Sequence, residues 1–246
     1  MNYRPSFFPM ITPVVKNILI INVLFFVAQL TVERFFPLTE TLALHYPGAE
    51  GYKSFQLVTY MFLHDPSGFS HIFFNMFAVF MFGVTLEHHW GPKRFLAYYL
   101  ITGIGAGLVQ MAVAYFSIKN YSSHLTFEQI QTVFTEGVGI LKQGMNYVDP
   151  SMAGLNMALN GTTIGASGAV FGILLAFGML FPTQQIMLLF PPIPIQARYF
   201  VIIYGVMELF LGVSNFKGDN VAHFAHLGGM LFGFILIRYW RKKGIY

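Results

Sequence analysis

The sequence predicts an all-α polytopic membrane protein, a bundle of six transmembrane helices. Of its 246 residues, 55% are apolar and only 10% are charged, and the mean hydropathy is +0.60. A soluble domain of this length needs more charge to cover its surface. Six apolar segments also have the roughly 17–25 residues that a helix needs to cross a bilayer. They lie at about residues 14–32, 69–86, 94–116, 163–181, 197–213 and 222–240.

The distribution of basic residues predicts the orientation of these spans. With six spans, both termini lie on one side, which holds nine of the 14 Lys and Arg residues, against five on the other side. Cytoplasmic loops carry the excess of basic residues, so we expect both termini to be cytoplasmic. The chain is expected to form one membrane domain, 1–246, with long outer loops at 33–68 and 117–162.

Two loop sequences carry further patterns. The stretch "FEQIQTVFTEGVGILKQ" in the second outer loop has apolar residues at helical spacing, which predicts an amphipathic surface helix. The stretch "FPTQQIMLLFPPIPIQARYF" is apolar but rich in proline, so it favours a turn at the inner face over another span.

Composition also excludes several classes of site and partner. The chain has no cysteine, which excludes disulfides, thiol nucleophiles and thiolate metal sites. The net charge of +4 follows the orientation of the spans and does not indicate nucleic acid binding. The N-terminal "MNYRPSFFPMITPVVKNILI" lacks a small-residue cleavage site after a short apolar core, so we expect no removable signal peptide.

Polar side chains fall inside the predicted spans, where they are costly and by default indicate function. His71 and Asn75 are four residues apart in the second span and share a helix face. Ser167 lies in the fourth span and His226 near the start of the sixth. Because these three spans run in the same direction, the four side chains are expected at one depth, a few residues below the outer surface. Their convergence predicts a single site.

Glycines indicate how the fourth and sixth spans meet. Ser167 lies between Gly165 and Gly168, which begins a GxxxG spacing, and Gly229 and Gly233 form a second one. Small residues at this spacing let helix backbones approach closely. We therefore expect the two glycine faces to pack together.

Such an approach would bring Ser167 and His226 within hydrogen-bond reach. A serine hydroxyl is a poor nucleophile until a base such as imidazole takes its proton. His71 and Asn75 would then donate hydrogen bonds to an oxyanion formed during acyl transfer. The hypothesis from these residues is nucleophilic catalysis within the membrane.

Other classes of membrane protein fit less well. A metalloprotease needs a motif such as H-E-x-x-H, which the sequence lacks. An intramembrane aspartyl protease needs two aspartates in facing helices, whereas Asp65, Asp149 and Asp219 fall in predicted loops. A transporter stays open, although its polar groups would lie at mid-membrane and no inverted repeat is visible.

Three motifs resemble the rhomboid intramembrane serine proteases, in their basic six-span bacterial form. They are "GASG" around Ser167, "AHLGGMLFG" at 225–233 and "HIFFN" at 71–75, in the order of that family. The resemblance implies that Ser167 is the nucleophile and His226 the general base, without a third acidic member. It implies that His71 and Asn75 stabilise the oxyanion, beside the backbone N–H of Ser167.

The resemblance extends to further residues. Glu87 matches a structural glutamate, and Phe171 replaces a tyrosine that stacks on the catalytic imidazole. The Trp-Arg pair common in the first outer loop reads Phe55-Gln56. In the family, span five and the loop before span six control substrate access; here these are 197–213 and "SNFKGDN".

The resemblance also implies partners and location. It implies cleavage of transmembrane protein substrates at the outer face of a bacterial inner membrane, in contact with the lipid bilayer and without metal or cofactor. The alternative is a non-catalytic rhomboid-like factor that binds membrane proteins. His223 is expected to be structural or water-facing, and Glu208 needs a partner or water. The oligomeric state is left undefined.

Overall fold

The structure, a computed structural model, describes residues 11–187, 192–214 and 222–245. Each predicted span coincides with helix. The helices are α1 (Pro13–Val32), the continuous segment Phe69–Trp90, α6 (Pro92–Ser122), α9 (Ser167–Leu180), α10 (Ala197–Ser214) and α11 (His223–Lys242). The second of these consists of α4 (Phe69–Ala78), a π-helical turn at Val79–Gly83 and α5 (Val84–Trp90).

Four of these helices are long and apolar enough to cross a membrane. They are Pro13–Val32, Phe69–Trp90, Pro92–Ser122 and Ala197–Ser214. Helix α9 has only 14 residues, and α11 ends in basic residues. The count of six spans and the orientation of the termini therefore stay predictions.

The two segments predicted as long outer loops contain several helices. Residues 33–68 include α2 (Leu38–Leu42), α3 (Gln56–Thr59) and a 3₁₀ turn at Tyr60–Phe62. Helix α6 continues to Ser122, six residues past the predicted end of its span. The amphipathic helix predicted next is present as α7 (Phe127–Lys142), and it packs against α8 (Pro150–Asn160). The 117–162 segment, which leads from α6 to α9, is thus largely helical.

Local signals explain where α7 and α8 begin. Thr126 accepts a hydrogen bond from the Gln129 backbone N–H while Gln129 accepts one from the Thr126 N–H, a capping box. Asp149 caps α8 by accepting from the N–H groups of Ser151 and Met152.

The proline-rich segment before α10 forms a small antiparallel hairpin. Strand β1 (Gln185–Met187) pairs with β2 (Pro194–Gln196), so the fold includes two short strands beside its helices. Residues 188–191 of this predicted turn lie outside the described part of the chain. The same holds for residues 1–10 of the N-terminal segment and for 215–221, which contain most of "SNFKGDN".

Helix α9 lies at the centre of the bundle. Ten of its 14 residues are buried, and it packs against α6, α10 and α11. Glycines on α6 let other segments approach that helix closely, since a methyl group at Gly105 would collide with the Phe232 ring of α11 and one at Gly103 with Met61. The site described next lies at the N-terminal end of this buried helix.

Two buried polar residues hold the surrounding segments in place. Both carboxylate oxygens of Glu87 accept hydrogen bonds at the start of α1, from the N–H groups of Val14 (3.0 Å) and Val15 (2.9 Å). Gln56, fully buried where the resemblance expects arginine, accepts from the N–H groups of His45 and Lys53 and donates to two carbonyls of the first outer segment.

Candidate active site

The chain before Ser167 is held by main-chain hydrogen bonds to the first outer segment. Leu44 and Thr163 exchange two N–H···O bonds of 2.9 Å, and the N–H of Gly165 donates to the Tyr60 carbonyl at 2.9 Å. Gly165 has a φ of +125°, a backbone conformation that residues with a side chain rarely adopt. The extended strand pairing and this glycine explain why the helix begins at 167, four residues later than the predicted span.

The structure brings the predicted nucleophile and base together. Oγ of Ser167 and Nε2 of His226 lie 2.8 Å apart, although 59 residues separate them in the chain. His226 is buried, at 8% exposure, and Ser167 is partly exposed. A methyl group at Gly229 would collide with the backbone of Gly168, so α9 and α11 meet at their backbones one residue past the serine.

The two GxxxG faces meet at the first glycine of each pair and diverge at the second. Gly168 and Gly229 meet, but Gly172 faces the side chain of Thr102 and Gly233 faces the hydroxyl of Tyr98. Both of these residues belong to α6, which packs against α9 and α11 together. The first glycine of each pair brings α9 and α11 together, and the second makes room for α6.

Phe171, one helical turn after Ser167, covers one face of the His226 ring. The two ring centroids are 4.3 Å apart and the planes are inclined by only 6°. Rotation of the imidazole out of this plane would push it into the phenyl ring, so the stack defines the plane in which Nε2 reaches the serine.

His71 lies close to Gly165 and Ser167. A methyl group at Gly165 would be 3.0 Å from Nε2 of His71 and 3.6 Å from Oγ of Ser167. The backbone N–H of Asp65 points to Nδ1 of His71 at 3.3 Å. Because Nδ1 accepts, the neutral ring carries its proton on Nε2, the atom next to Gly165.

Asn75 is buried on the same face, and its amide donates to the His71 carbonyl at 2.9 Å, one turn earlier in α4. An amide nitrogen carries two N–H groups, so this bond leaves a second donor on the side chain.

An acidic side chain also joins this cluster. Oε2 of Glu208 lies 2.8 Å from Nδ1 of His226 and 2.7 Å from Nδ1 of His223. The resemblance implies no third acidic member, and the structure differs from it here. The three groups would also suit a metal ion, since one ligand atom from each lies within 4.8 Å of the others.

The role of Glu208 was open at the level of sequence. The available signal was a carboxylate in the apolar run "YGVMELFLG", which requires a partner. The run does not show which side of α10 faces α11, because tertiary packing sets the rotation of α10 about its axis.

Comparison with known proteins agrees with the motifs. A sequence model of the Rhomboid domain matches residues 52–243. The chain belongs to the rhomboid family. The matched segment includes the four polar residues of the site, Ser167, His226, His71 and Asn75, as well as Glu208.

The named relatives include two bacterial proteins and a plant protein named as mitochondrial. The chain is 27% identical over 178 residues to "Rhomboid protease AarA" of Providencia stuartii, covering 72% of this chain and 52% of the relative. It is 27% identical over 181 residues to "Putative rhomboid protease YdcA" of Bacillus subtilis strain 168, covering 74% and 64%. It is 26% identical over 187 residues to the mitochondrial "RHOMBOID-like protein 6" of Arabidopsis thaliana, covering 76% and 44%.

The matching part of the chain spans between about half and two thirds of the length of the two bacterial relatives. The family and the four apolar helices together identify this rhomboid protein as an integral membrane protein.

Proposed function

We propose that this rhomboid protein is an intramembrane serine endopeptidase that hydrolyses peptide bonds in or next to transmembrane segments of other membrane proteins. The observation that carries the proposal is the 2.8 Å contact between Oγ of Ser167 and Nε2 of His226. The names of the two bacterial relatives as proteases support it.

In the first step, Oγ of Ser167 attacks the scissile carbonyl carbon while Nε2 of His226 accepts the hydroxyl proton. The tetrahedral intermediate then collapses, and the imidazolium returns this proton to the leaving amine. The product is an acyl-enzyme ester on Ser167. A water molecule, deprotonated by the same imidazole, hydrolyses the ester and restores the serine.

The negative charge that develops on the carbonyl oxygen needs donors already in place. Ser167 is the first residue of α9, where a helix leaves its N–H groups without intrahelical partners. The Nε2–H of His71 and the second amide N–H of Asn75 are side-chain donors on the neighbouring α4. We assign oxyanion stabilisation to these three groups and orientation of the base to Phe171.

The remaining expectations belong to the same proposal. Six spans with both termini in the cytoplasm would put the site toward the outer face of a bacterial inner membrane. A helical substrate must unwind locally to expose its carbonyl, which favours helix-breaking residues at the cut. The chemistry uses no metal and no organic cofactor.

Cleavage of a model single-span substrate by the detergent-purified protein tests the function. We expect cleavage by the wild type and its loss in both Ser167→Ala and His226→Ala, at unchanged melting temperatures. A fluorophosphonate probe should label the wild type at Ser167 and leave Ser167→Ala unlabelled. Cleavage that survives Ser167→Ala would overturn the assignment of the nucleophile.

The non-catalytic alternative has a different signature. A rhomboid-like binding factor would leave several substrates uncleaved and Ser167 unlabelled, while still retaining a membrane protein partner in pull-down experiments. That combination in the wild type would overturn the protease proposal.

A further inference from the structure

Three buried side chains form a continuous hydrogen-bonded chain behind the nucleophile. Ser167 Oγ contacts Nε2 of His226 at 2.8 Å, and Nδ1 of the same ring contacts Oε2 of Glu208 at 2.8 Å. Nδ1 of His223 reaches the same carboxylate oxygen at 2.7 Å. Glu208, His223 and His226 are each at most 8% exposed, so the two bonds to the carboxylate are largely shielded from water.

The shared carboxylate defines which ring nitrogen of His226 carries the proton. An ionised carboxylate only accepts hydrogen bonds, so Nδ1 of His226 must be a donor. The neutral ring then has its lone pair on Nε2, which faces the hydroxyl of Ser167. The opposite tautomer would direct two lone pairs at each other on the glutamate side and leave no base toward the serine.

We propose that Glu208 is a positioning residue of the protease, which holds His226 in the tautomer of a general base and stabilises the imidazolium formed when Ser167 loses its proton. The proposal rests on the proposed function, and it makes the site a Ser-His-Glu arrangement instead of a Ser-His pair. Glu208 contacts no substrate atom and acts only through His226.

The packing of α10 explains how the carboxylate reaches the ring. Gly205, Glu208 and Gly212 share one face of this helix, at intervals of three and four residues. A methyl group at Gly205 would lie 3.2 Å from Met230, and one at Gly212 would lie 3.2 Å from Cβ of His223. Both glycines therefore let α10 approach α11 on either side of the glutamate.

The exposure of the other α10 side chains indicates that Glu208 points into the protein. Apolar residues on its other faces are exposed, among them Ile202 at 60%, Val206 at 62% and Phe210 at 62%. Among the described residues of α10, only Ala197, Val201 and Glu208 are buried. A carboxylate on such a helix must find partners inside the protein, and the two imidazoles provide them.

His223 orients the carboxylate. Its hydrogen bond to the same Oε2 keeps the carboxyl group from rotating away from His226 when the ring changes charge. His223, predicted to be structural or water-facing, thus belongs to this chain of contacts, one step behind Glu208.

The first test compares Glu208→Gln with the wild type in the cleavage assay. The amide offers an N–H where Nδ1 of His226 needs an acceptor, so it favours the wrong tautomer. We expect kcat to fall by about 10²–10⁴-fold, with KM and the melting temperature close to those of the wild type. Glu208→Asp keeps an acceptor and should recover part of kcat. Glu40→Gln, the same change at an exposed carboxylate outside the site, is the matched control and should keep wild-type kcat.

Loss of activity through misfolding would look different. It would lower the melting temperature, and the glutamine and aspartate variants would lose activity in step with that change. This result would overturn the positioning role, as would a Glu208→Gln variant with wild-type kcat.

A spectroscopic measurement covers the case in which Glu208→Gln does not fold. In Ser167→Ala with ¹⁵N-labelled histidine, His226 should show a protonated Nδ1 and an unprotonated Nε2, assigned by the loss of its signals in a His226→Ala background. The reverse tautomer would overturn the proposal. Failure of the proposed function is separate from this outcome, because it would appear in the wild type as absent cleavage and absent labelling of Ser167.

Discussion

The Phe171 ring lies parallel to the imidazole of His226, with centroids 4.3 Å apart and planes inclined by 6°. An aromatic pair of this kind contributes about 0.5–1.5 kcal/mol beyond the burial of its area. We therefore expect Phe171→Leu, which keeps an apolar side chain but removes the stack, to lower kcat/KM by about 2–10-fold. Phe171→Tyr keeps the ring and should stay near wild type. Steady-state cleavage kinetics measure both, and equal kcat/KM for the leucine and tyrosine variants would contradict a role for stacking.

The approach of α9 and α11 at Gly168 and Gly229 predicts a steric effect. Gly229→Ala would place its methyl group against the Gly168 backbone, which cannot rotate away as a side chain would. We expect a loss of about 1–3 kcal/mol in stability and a larger loss of activity, because the helices that carry Ser167 and His226 must separate. Melting temperature and cleavage rate report the two effects.

Gly139→Ala is the matched control for this substitution. Gly139 lies in α7, and a methyl group there meets nothing within 4 Å. Alanine is the better helix former, so this variant should be as stable as the wild type or slightly more stable. If both glycine variants behave alike, close packing at Gly229 is not required.

Glu87 provides a third prediction, about stability alone. Thr12 makes no side-chain cap at the start of α1, and Glu87 accepts from the first N–H groups in its place. Glu87→Ala leaves the buried N–H of Val15 without this acceptor, at a cost of about 1–3 kcal/mol. Denaturation in detergent measures it. Glu40→Gln serves as the control, because Glu40 pairs with Lys142 at an exposed position where ion pairs contribute at most about 1 kcal/mol.

His64 predicts a dependence of stability on pH. The side chain is fully buried, and this burial, together with the nearby His71, lowers the pKa of His64 from 6.5 to about 3. Below pH 6.5 the unfolded chain takes up a proton that the folded protein does not bind, so stability falls as the pH falls from about 6.5 toward 3. The loss between pH 7 and pH 5 should be about 2 kcal/mol.

Melting curves of the wild type and His64→Leu at these two pH values check this dependence. The leucine variant should lose less stability at pH 5 than the wild type does, because it has no imidazole to protonate. His124→Leu removes an exposed histidine instead and should keep the wild-type difference. An unchanged pH dependence in His64→Leu would contradict the assignment.

The positions of the long helices could be predicted from local sequence. Apolar runs define helices that must pack or enter lipid, and the six predicted spans match six helices to within a few residues at most ends. Helix α9 begins at Ser167, four residues later than the predicted span. Its boundary depends on the pairing of Thr163 with Leu44, a contact across more than 100 residues that no local pattern contains.

The candidate site divides in the same way. The sequence by itself indicates four site residues as polar side chains at one predicted depth: Ser167, His226, His71 and Asn75. A polar side chain inside a membrane span is costly, so each of them pointed to a function. Glu208 was visible only as an unexplained carboxylate. Its partner depends on the rotation of α10 against α11, which the glycines at 205 and 212 permit but do not by themselves specify.

The sequence alone thus determined the membrane character of this rhomboid protein, its helices and the residue types of its site. The length of an apolar segment, and the free-energy cost of a polar side chain within it, can both be read from local sequence. The tertiary structure decided which glycine faces meet, where α9 begins and which carboxylate lies behind His226. These are properties of how helices distant in sequence rotate and approach, and they follow from side-chain packing across the whole bundle.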